Sequence, residues 1–284
     1  MKIFLHASRH HFDALECGRR ILGHIAALAA GEPIAVSARC YDHLRPFLPS
    51  EAFPVAAGEE LEAEIAVSIG GDGTFLRTAQ LVSPYGVPIL GINAGHLGYL
   101  ADFTPESFLA SDLSDLRVEE RMMLQICSSA PLPDDFVPFA VNEVALLRQD
   151  TASMISVNAR LDAHELTTYR GDGLIVSTPT GSTGYNMSVG GPIIEPTAPV
   201  IVISPIAPHT LAMRPLVVNA TSAIHLMADS RADGCLLSLD SRIVKIPVRS
   251  RIEVSRAGFP LRVVQRRGYD FVSTLRTKLH WGQS

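Results

Sequence analysis

Along the first hundred residues, short runs that are apolar throughout alternate with stretches in which apolar side chains recur every three or four positions. The runs MKIFLHA, PIAVSAR, EIAVSIG and VPILGIN predict strands covered on both faces. Between them HFDALECGRRILGHIAALAAG, stopped at Gly31, and then CYDHLRPFL and TFLRTAQLV carry helical spacing. Uniformly apolar strands separated by helices predict an α/β domain with a parallel, Rossmann-like sheet.

From about residue 120 the period falls to two. In MISVNARLDAHEL, Ile155, Val157, Ala159 and Leu161 alternate with Ser156, Asn158 and Arg160, the pattern of a half-buried strand. FAVNEVALL, DGLIVST, PVIVIS, AIHLMA, CLLSLD, IVKIPV, RIEVSR and LRVVQR follow suit, separated by short Gly, Asp, Ser and Pro turns. So many closely spaced strands predict an all-β, sandwich-like C-terminal domain. YDFVSTLRTKLHW returns to helical spacing, with Phe271, Leu275 and Leu279 on one face, and is expected to pack back on the first domain. The expected division is residues 1–104 for the α/β domain, joined by 266–284, and 105–265 for the all-β domain.

Composition narrows the function classes. The 284 residues suffice for two modest cores, and 47% hydrophobic with 19% charged residues describes an ordinary soluble globular chain. No apolar stretch reaches the roughly 20 residues that cross a bilayer, and MKIFLHASRHH lacks the features of a signal peptide. Cys17, Cys40, Cys127 and Cys235 show no CxxC spacing, so neither zinc nor a disulfide framework is expected and a cytoplasmic location is the simple reading. A formal net charge of −5 argues against nucleic acid as a partner. An anionic ligand must then be held by local devices.

One such device stands after the third strand. In EIAVSIGGDGTFLRTAQ, Gly70, Gly71 and Gly73 interrupt a strand-to-helix junction, where glycines let peptide N–H groups approach an anion and the helix N-terminus adds positive charge. The spacing is neither GxGxxG nor GxxxxGK[ST]. A tight turn with Asp72 or Thr74 as a simple cap is the bland alternative. Asp72 among phosphate-directed amides repels the anion it faces, unless it serves as a general base on an attacking hydroxyl or as a ligand to a phosphate-bridging Mg²⁺. Either use implies phosphoryl transfer.

Further candidates follow. GINAGHLGYLADF places Gly91, Gly95 and Gly98 at the next strand's end, with Tyr99 able to offer a ring face and His96 read as a loop residue. RGDGLIVSTPTGSTGYN, from Arg170 onward, packs Ser177, Thr178, Thr180, Ser182 and Thr183 around Gly181 and Gly184, a loop suited to a ribose or a phosphate. In VNEV, Asn142 and Glu143 are adjacent polar residues in an otherwise apolar strand, costly to bury without a partner.

Taken in order, GGDGT, GINAGHLGY, NE and DGLIVSTPTGSTGY, followed by GGPIIEP, SPIAPHTLAMRPLVV and LRTKLHWG, resemble the NAD kinase family from about residue 65 to the end. The resemblance implies transfer of a phosphoryl group from ATP, or in some members inorganic polyphosphate, to the 2′-hydroxyl of the adenosine ribose of NAD, giving NADP. It implies that Asp72 activates that hydroxyl and that Gly71, Gly73 and Thr74 lie beside phosphate. Tyr99 would stand near the adenine, Asn142 and Glu143 would hold ribose and base, and Arg170, Asp172, Thr180, Thr183, Gly184 and Tyr185 would complete the dinucleotide site. A divalent cation, expected to be Mg²⁺, and a homodimer or homotetramer whose β domains contribute to a neighbour's site are further implications. The chain departs from the family in two places. Ser241 stands where many members have Gly, which puts the role of Asp240 in doubt, and Gly184 replaces the commoner Ala.

Lipid kinases of the diacylglycerol or sphingosine type share GGDGT but carry their NEV-like segment close behind it. Here NEV lies some seventy residues later, which weakens that reading. Phosphofructokinase-like kinases share only the short loop. A non-catalytic NADP(H) sensor would share the binding residues but would have no use for Asp72.

Overall fold

The computed structural model describes residues 1–13, 17–56, 58–59, 61–94, 98–111, 113–114, 116–150 and 154–279, without the side chains of His11 and Asp13. The chain forms two compact units, Met1–Glu120 with Leu261–Ser284, and Arg121–Pro260.

The first unit is built on a seven-stranded sheet. Its strands are β1 (Ile3–Ala7), β2 (Ile34–Ser37), β3 (Phe53–Val55), β4 (Ile65–Gly70), β5 (Ile89–Asn93), β6 (Leu116–Arg121) and a returning strand, Leu261–Arg266. Their order is β3-β2-β1-β4-β5, then the returning strand, then β6. All pairings from β3 to the returning strand are parallel. β1, β2, β4 and β5 are buried along their whole length, as their unbroken apolar runs require. Because the chain steps outward in opposite directions from β1 and β4, a crevice opens at their carboxyl ends, and the GGDGT turn follows β4.

Here the structure departs from the pattern in four places. The first helical stretch is two helices, Arg9–Asp13 and Gly18–Ala29, and the second ends in a left-handed Ala30 just before Gly31. β3 was not expected, since Phe-Pro-Val reads as turn-like. LRVVQR is the returning strand of the parallel sheet and not part of the β domain. With β6 it moves the unit boundaries to 120/121 and 260/261, in place of 104/105 and 265/266, because sheet membership is decided by pairing with β5 and not by local period. The terminal helix, Phe271–Lys278, belongs to the first unit and buries Leu275. Gly95, His96 and residues 280–284 lie outside the described residues.

The second unit is two antiparallel sheets. Its strands are β7 (Leu124–Ser128), β8 (Phe139–Ala140), β9 (Glu143–Arg148), β10 (Ile155–Leu161), β11 (His164–Gly171), β12 (Gly173–Ser177), β13 (Val200–Ile206), β14 (Leu216–Asn219), β15 (Ile224–Asp229), β16 (Gly234–Leu239), β17 (Arg242–Pro247) and β18 (Arg251–Arg256). One sheet runs β11-β10-β15-β18-β7-β8, the other β14-β13-β12-β9-β16-β17. Alternating residues such as Ile155, Val157, Leu174, Val176, Leu237 and Val254 fill one shared core. FAVNEVALL, expected as a single strand, is divided between the sheets: β8 ends in the first, β9 starts in the second, and Val141–Asn142 make the crossing.

Candidate active site

In the first unit the site begins where β4 ends. A Cβ on Gly70 would collide with the side chain of Thr74, so glycine is required there and Thr74 is turned inward, buried beneath the turn. Gly71 caps the following helix, Asp72–Val82, its carbonyl accepting from the N–H groups of Thr74 and Phe75 at 2.9 and 3.1 Å. A Cβ on Gly73 would meet nothing within 4 Å. Glycine there is demanded neither by packing nor by backbone angle, and it leaves open room beside the first peptide groups of the helix, where the dipole favours an anion.

Asp72 is the first residue of this helix. The N–H of Tyr99 donates to its Oδ2 at 2.8 Å and that of Leu100 to its Oδ1 at 3.2 Å. Gly98 lies so close that any Cβ there would overlap the carboxylate. The glycine-rich segment after β5 thus fixes the orientation of Asp72, while each oxygen keeps a further lone pair for another donor. The Tyr99 ring is half-buried and carries the Lys278 ammonium over its face, 4.2 Å from the centroid. Burial, aided by the Asp72 charge, pushes the Tyr99 hydroxyl above its usual range.

In the second unit the Val141–Asn142 crossing is stitched to the hydroxyl-rich loop. Thr178 Oγ1 donates to Val141 O at 2.6 Å and accepts the Gly181 N–H at 2.9 Å, and the Thr178 N–H donates to Asn142 O at 2.9 Å. Gly181 rests directly on the Asn142 backbone, leaving no room for a Cβ. Ser182 and Asn186 are buried scaffold. Ser182 Oγ bonds both ways with Ile194. Asn186 Nδ2 donates to Ser182 O and Pro192 O, and its Oδ1 accepts from Ser204.

Against that scaffold three buried atoms stand without hydrogen-bond partners: Asn142 Oδ1, Glu143 Oε2 and Thr180 Oγ1. Natural proteins rarely leave such atoms unsatisfied, and a concentration of them marks the place of a polar ligand. Gly184 borders the same spot; a Cβ there would sit 3.2 Å from Glu143 Oε2 and 3.6 Å from Asn142 Nδ2. Thr183 Oγ1 donates weakly to Thr180 O at 3.4 Å, and Tyr185, more exposed, starts the next short helix. Glu143 has its carboxyl pushed up to about 8, first by burial and then by the nearby Asp240 charge, against a hydrogen bond from the Tyr185 N–H.

The structure thus gathers Asn142, Glu143, Thr180, Thr183, Gly184 and Tyr185. It does not bring Arg170 and Asp172 to them. Asp172 precedes β12 and Thr178 follows it, a separation of about 20 Å at ~3.3 Å per residue. Asp172 pairs with Arg148 at 3.1 Å, and the Arg170 carbonyl accepts the His209 N–H at 2.9 Å. Thr178, expected only as one hydroxyl of a Ser/Thr-rich run, stitches that loop to the crossing, and Lys278, set over the Tyr99 ring, had no local signal. Asp240, whose role the Ser241 departure put in doubt, has both its carboxylate oxygens engaged by the crossing.

The sequence matches the model of the ATP-NAD kinase N-terminal domain over residues 51–116 and that of the ATP-NAD kinase C-terminal domain over 141–266. An NAD kinase of Porphyromonas gingivalis is 39% identical over 293 aligned positions, covering 99% of this chain and 98% of the relative. One of Bacteroides fragilis is 44% identical over 227, covering 78% and 77%. Among solved structures, an Archaeoglobus fulgidus NAD kinase in complex with ATP superimposes with a TM-score of 0.67 at 27% identity, covering 98% of this chain and 99% of that one. A yeast NADH kinase complexed with NADH superimposes at 0.83 with 21% identity, covering 100% and 89%, a likeness of fold.

Proposed function

The chain belongs to the NAD kinase family, and on that premise we propose that it transfers the terminal phosphoryl group of ATP to the 2′-hydroxyl of the adenosine ribose of NAD, giving NADP and ADP. The observation that carries the reading is the trio Asn142 Oδ1, Glu143 Oε2 and Thr180 Oγ1, buried and unpartnered, which a ribose or a base with several polar edges would satisfy.

In this reading Asp72 is the general base. It takes the proton of the attacking hydroxyl as the new P–O bond forms and the bond to the ADP oxygen breaks, and the Tyr99 and Leu100 N–H groups hold its carboxylate in one orientation while it does so. The open side of Gly73 and the peptide groups that begin the helix support a phosphate there, with Gly71 shaping the turn and Thr74 bracing it from beneath. Among the described residues no three His, Cys, Asp or Glu side chains converge into a cage. A divalent cation, which we take to be Mg²⁺, would find in Asp72 a carboxylate to hold it and would neutralise developing phosphate charge. Arg170 and Asp172, remote from the trio, are assigned to a neighbouring subunit's site in a homodimer or homotetramer, a cytoplasmic assembly whose size would be read from mass in solution.

Incubation of purified protein with ATP, Mg²⁺ and NAD, followed by an NADP-specific dehydrogenase, should reveal NADP. Activity should vanish in EDTA and return with Mg²⁺. No NADP above a no-enzyme control, or phosphorylation of a lipid acceptor in its place, would overturn the assignment. Replacing ATP with other nucleotides and with polyphosphate sets the donor range.

A further inference from the structure

Asp240 lies in the two-residue turn between β16 and β17, buried, at 7% exposure, and 97 residues along the chain from Glu143. Its Oδ2 accepts the Val141 N–H at 2.7 Å, and its Oδ1 accepts those of Asn142 at 2.7 Å and Glu143 at 3.2 Å. Three successive peptide N–H groups converging on one point form a nest of the kind that captures anions. Here the chain supplies its own anion. The peptide groups that would otherwise have extended β8 straight into β9 are turned onto Asp240, and this forces the crossing that carries Asn142 and Glu143.

The turn is held at some cost. Asp240 and Ser241 both have left-handed backbone angles, φ +46° and +66°, the geometry of a type I′ hairpin, whose second position favours glycine. A non-glycine residue persists there only where its surroundings fix it. Next to it Arg242 donates to Val137 O and Phe139 O, both at 2.6 Å, so the same hairpin also anchors the strand that leads into the crossing.

Two carboxyl groups, Asp240 and Glu143, are therefore buried side by side. Burial pushes the Asp240 carboxyl above its usual range, and its three N–H donors and the field of Arg242 oppose that rise. Glu143 has only the Tyr185 N–H to oppose its burial and the Asp240 charge, and its Oε2 has no hydrogen-bond partner. One proton shared between such a pair settles on the group with fewer donors. We propose that Asp240 is a positioning residue for the dinucleotide site: it shapes the Asn142–Glu143 crossing and keeps Glu143 in its acid form, so that Glu143 meets the nucleotide as a hydrogen-bond donor. This rests on the assignment of NAD to the site, and it adds a direction to that contact. The atom facing Glu143 is an acceptor, a ring nitrogen or a ribose or phosphate oxygen, and not a donating hydroxyl.

The test is the dissociation constant for NAD, measured by calorimetry from pH 6 to 9.5 without ATP, alongside NADP formation. With Glu143 at about 8, affinity should fall roughly thirtyfold between pH 7 and 9.5 as the acid is lost. Asp240→Asn removes the charge that opposes ionisation of Glu143, so its loss of affinity should begin at lower pH, and affinity at pH 7 should fall roughly tenfold while kcat changes less. Glu143→Gln, which cannot ionise, should abolish the pH dependence. A wild-type dissociation constant flat from pH 7 to 9.5, or a Glu143→Gln profile still as steep as the wild type, overturns the inference even if Asp240→Asn fails to fold. Since NADP formation by the wild type is followed separately, such a result would leave the kinase assignment standing.

Discussion

Asp72 and Asp240 each have both carboxylate oxygens engaged by peptide N–H groups from distant sequence, Tyr99 and Leu100 for the first, Val141, Asn142 and Glu143 for the second. Asp72 starts a helix, half-exposed, with open room at the neighbouring Gly73. Asp240 is sealed under a hairpin. The same bonding serves opposite ends. At the surface, two N–H groups aim a carboxylate and leave it lone pairs for a reactant; in the interior, three use up the carboxylate and shape the peptide that donates to them. A buried acid of the second kind acts on chemistry only through its neighbours.

The sharpest way to break this contrast is Asp72→Asn. The carboxamide fits the same space and keeps one of the two N–H contacts, so fold and NAD affinity should persist while turnover drops by roughly two to four orders of magnitude; near-normal turnover would make Asp72 a purely structural acceptor for the Tyr99 and Leu100 N–H groups. Next in size is the effect of Glu143 on stability. Its raised carboxyl binds a proton in the fold that the unfolded chain releases near pH 4.5, so its contribution is present below that pH and is lost as pH climbs to about 8. Glu143→Gln should therefore lose less stability than the wild type between pH 5 and 9, by a few kcal/mol in urea titrations; parallel pH curves would contradict the buried acid pair.

Smaller still is Gly184→Val. A Cβ there would already stand 3.2 Å from Glu143 Oε2, and crowding of this kind costs about 1–3 kcal/mol. NAD affinity should weaken roughly ten- to hundredfold with kcat little changed, in a kinetic comparison with Gly184→Ala as the milder control. The least effect is expected from Ser241→Gly, which relieves a left-handed backbone by about 1 kcal/mol. It should raise the melting temperature by about 2–4 °C, while Asp240 keeps its three donors and NAD affinity stays put. A drop in melting temperature would mean that Ser241 itself secures the turn.

These residues also show how far the sequence alone could be read. β4 and β5 are legible because strands buried on both faces must be apolar throughout, and Asp72 stood out because an acid is anomalous among glycines. Asn142 and Glu143 were visible for the same reason, two polar residues in an apolar run. What escaped is what depends on partners far along the chain. Asp240 meets N–H groups 97 to 99 residues away, so nothing near it announces a role, and its hairpin shows only the turn. FAVNEVALL has the period of one strand and becomes two because that distant carboxylate turns its middle. Arg170 and Asp172 share a motif with Thr180 and Gly184, yet a rigid strand holds them apart, since nearness in sequence along an extended strand means distance in space.

The returning strand carries a consequence for how the molecule is made. Val263 pairs with Ile89 across 174 positions of chain, and Arg266 clasps Asp102 through both carboxylate oxygens. On the ribosome, the N-terminal sheet must wait with an unfilled edge beside β5 while the whole of the second unit emerges and is free to fold. The part of the protein that is synthesised first is thus the last to be completed, and a chain released before Leu261 would expose that edge to other strands.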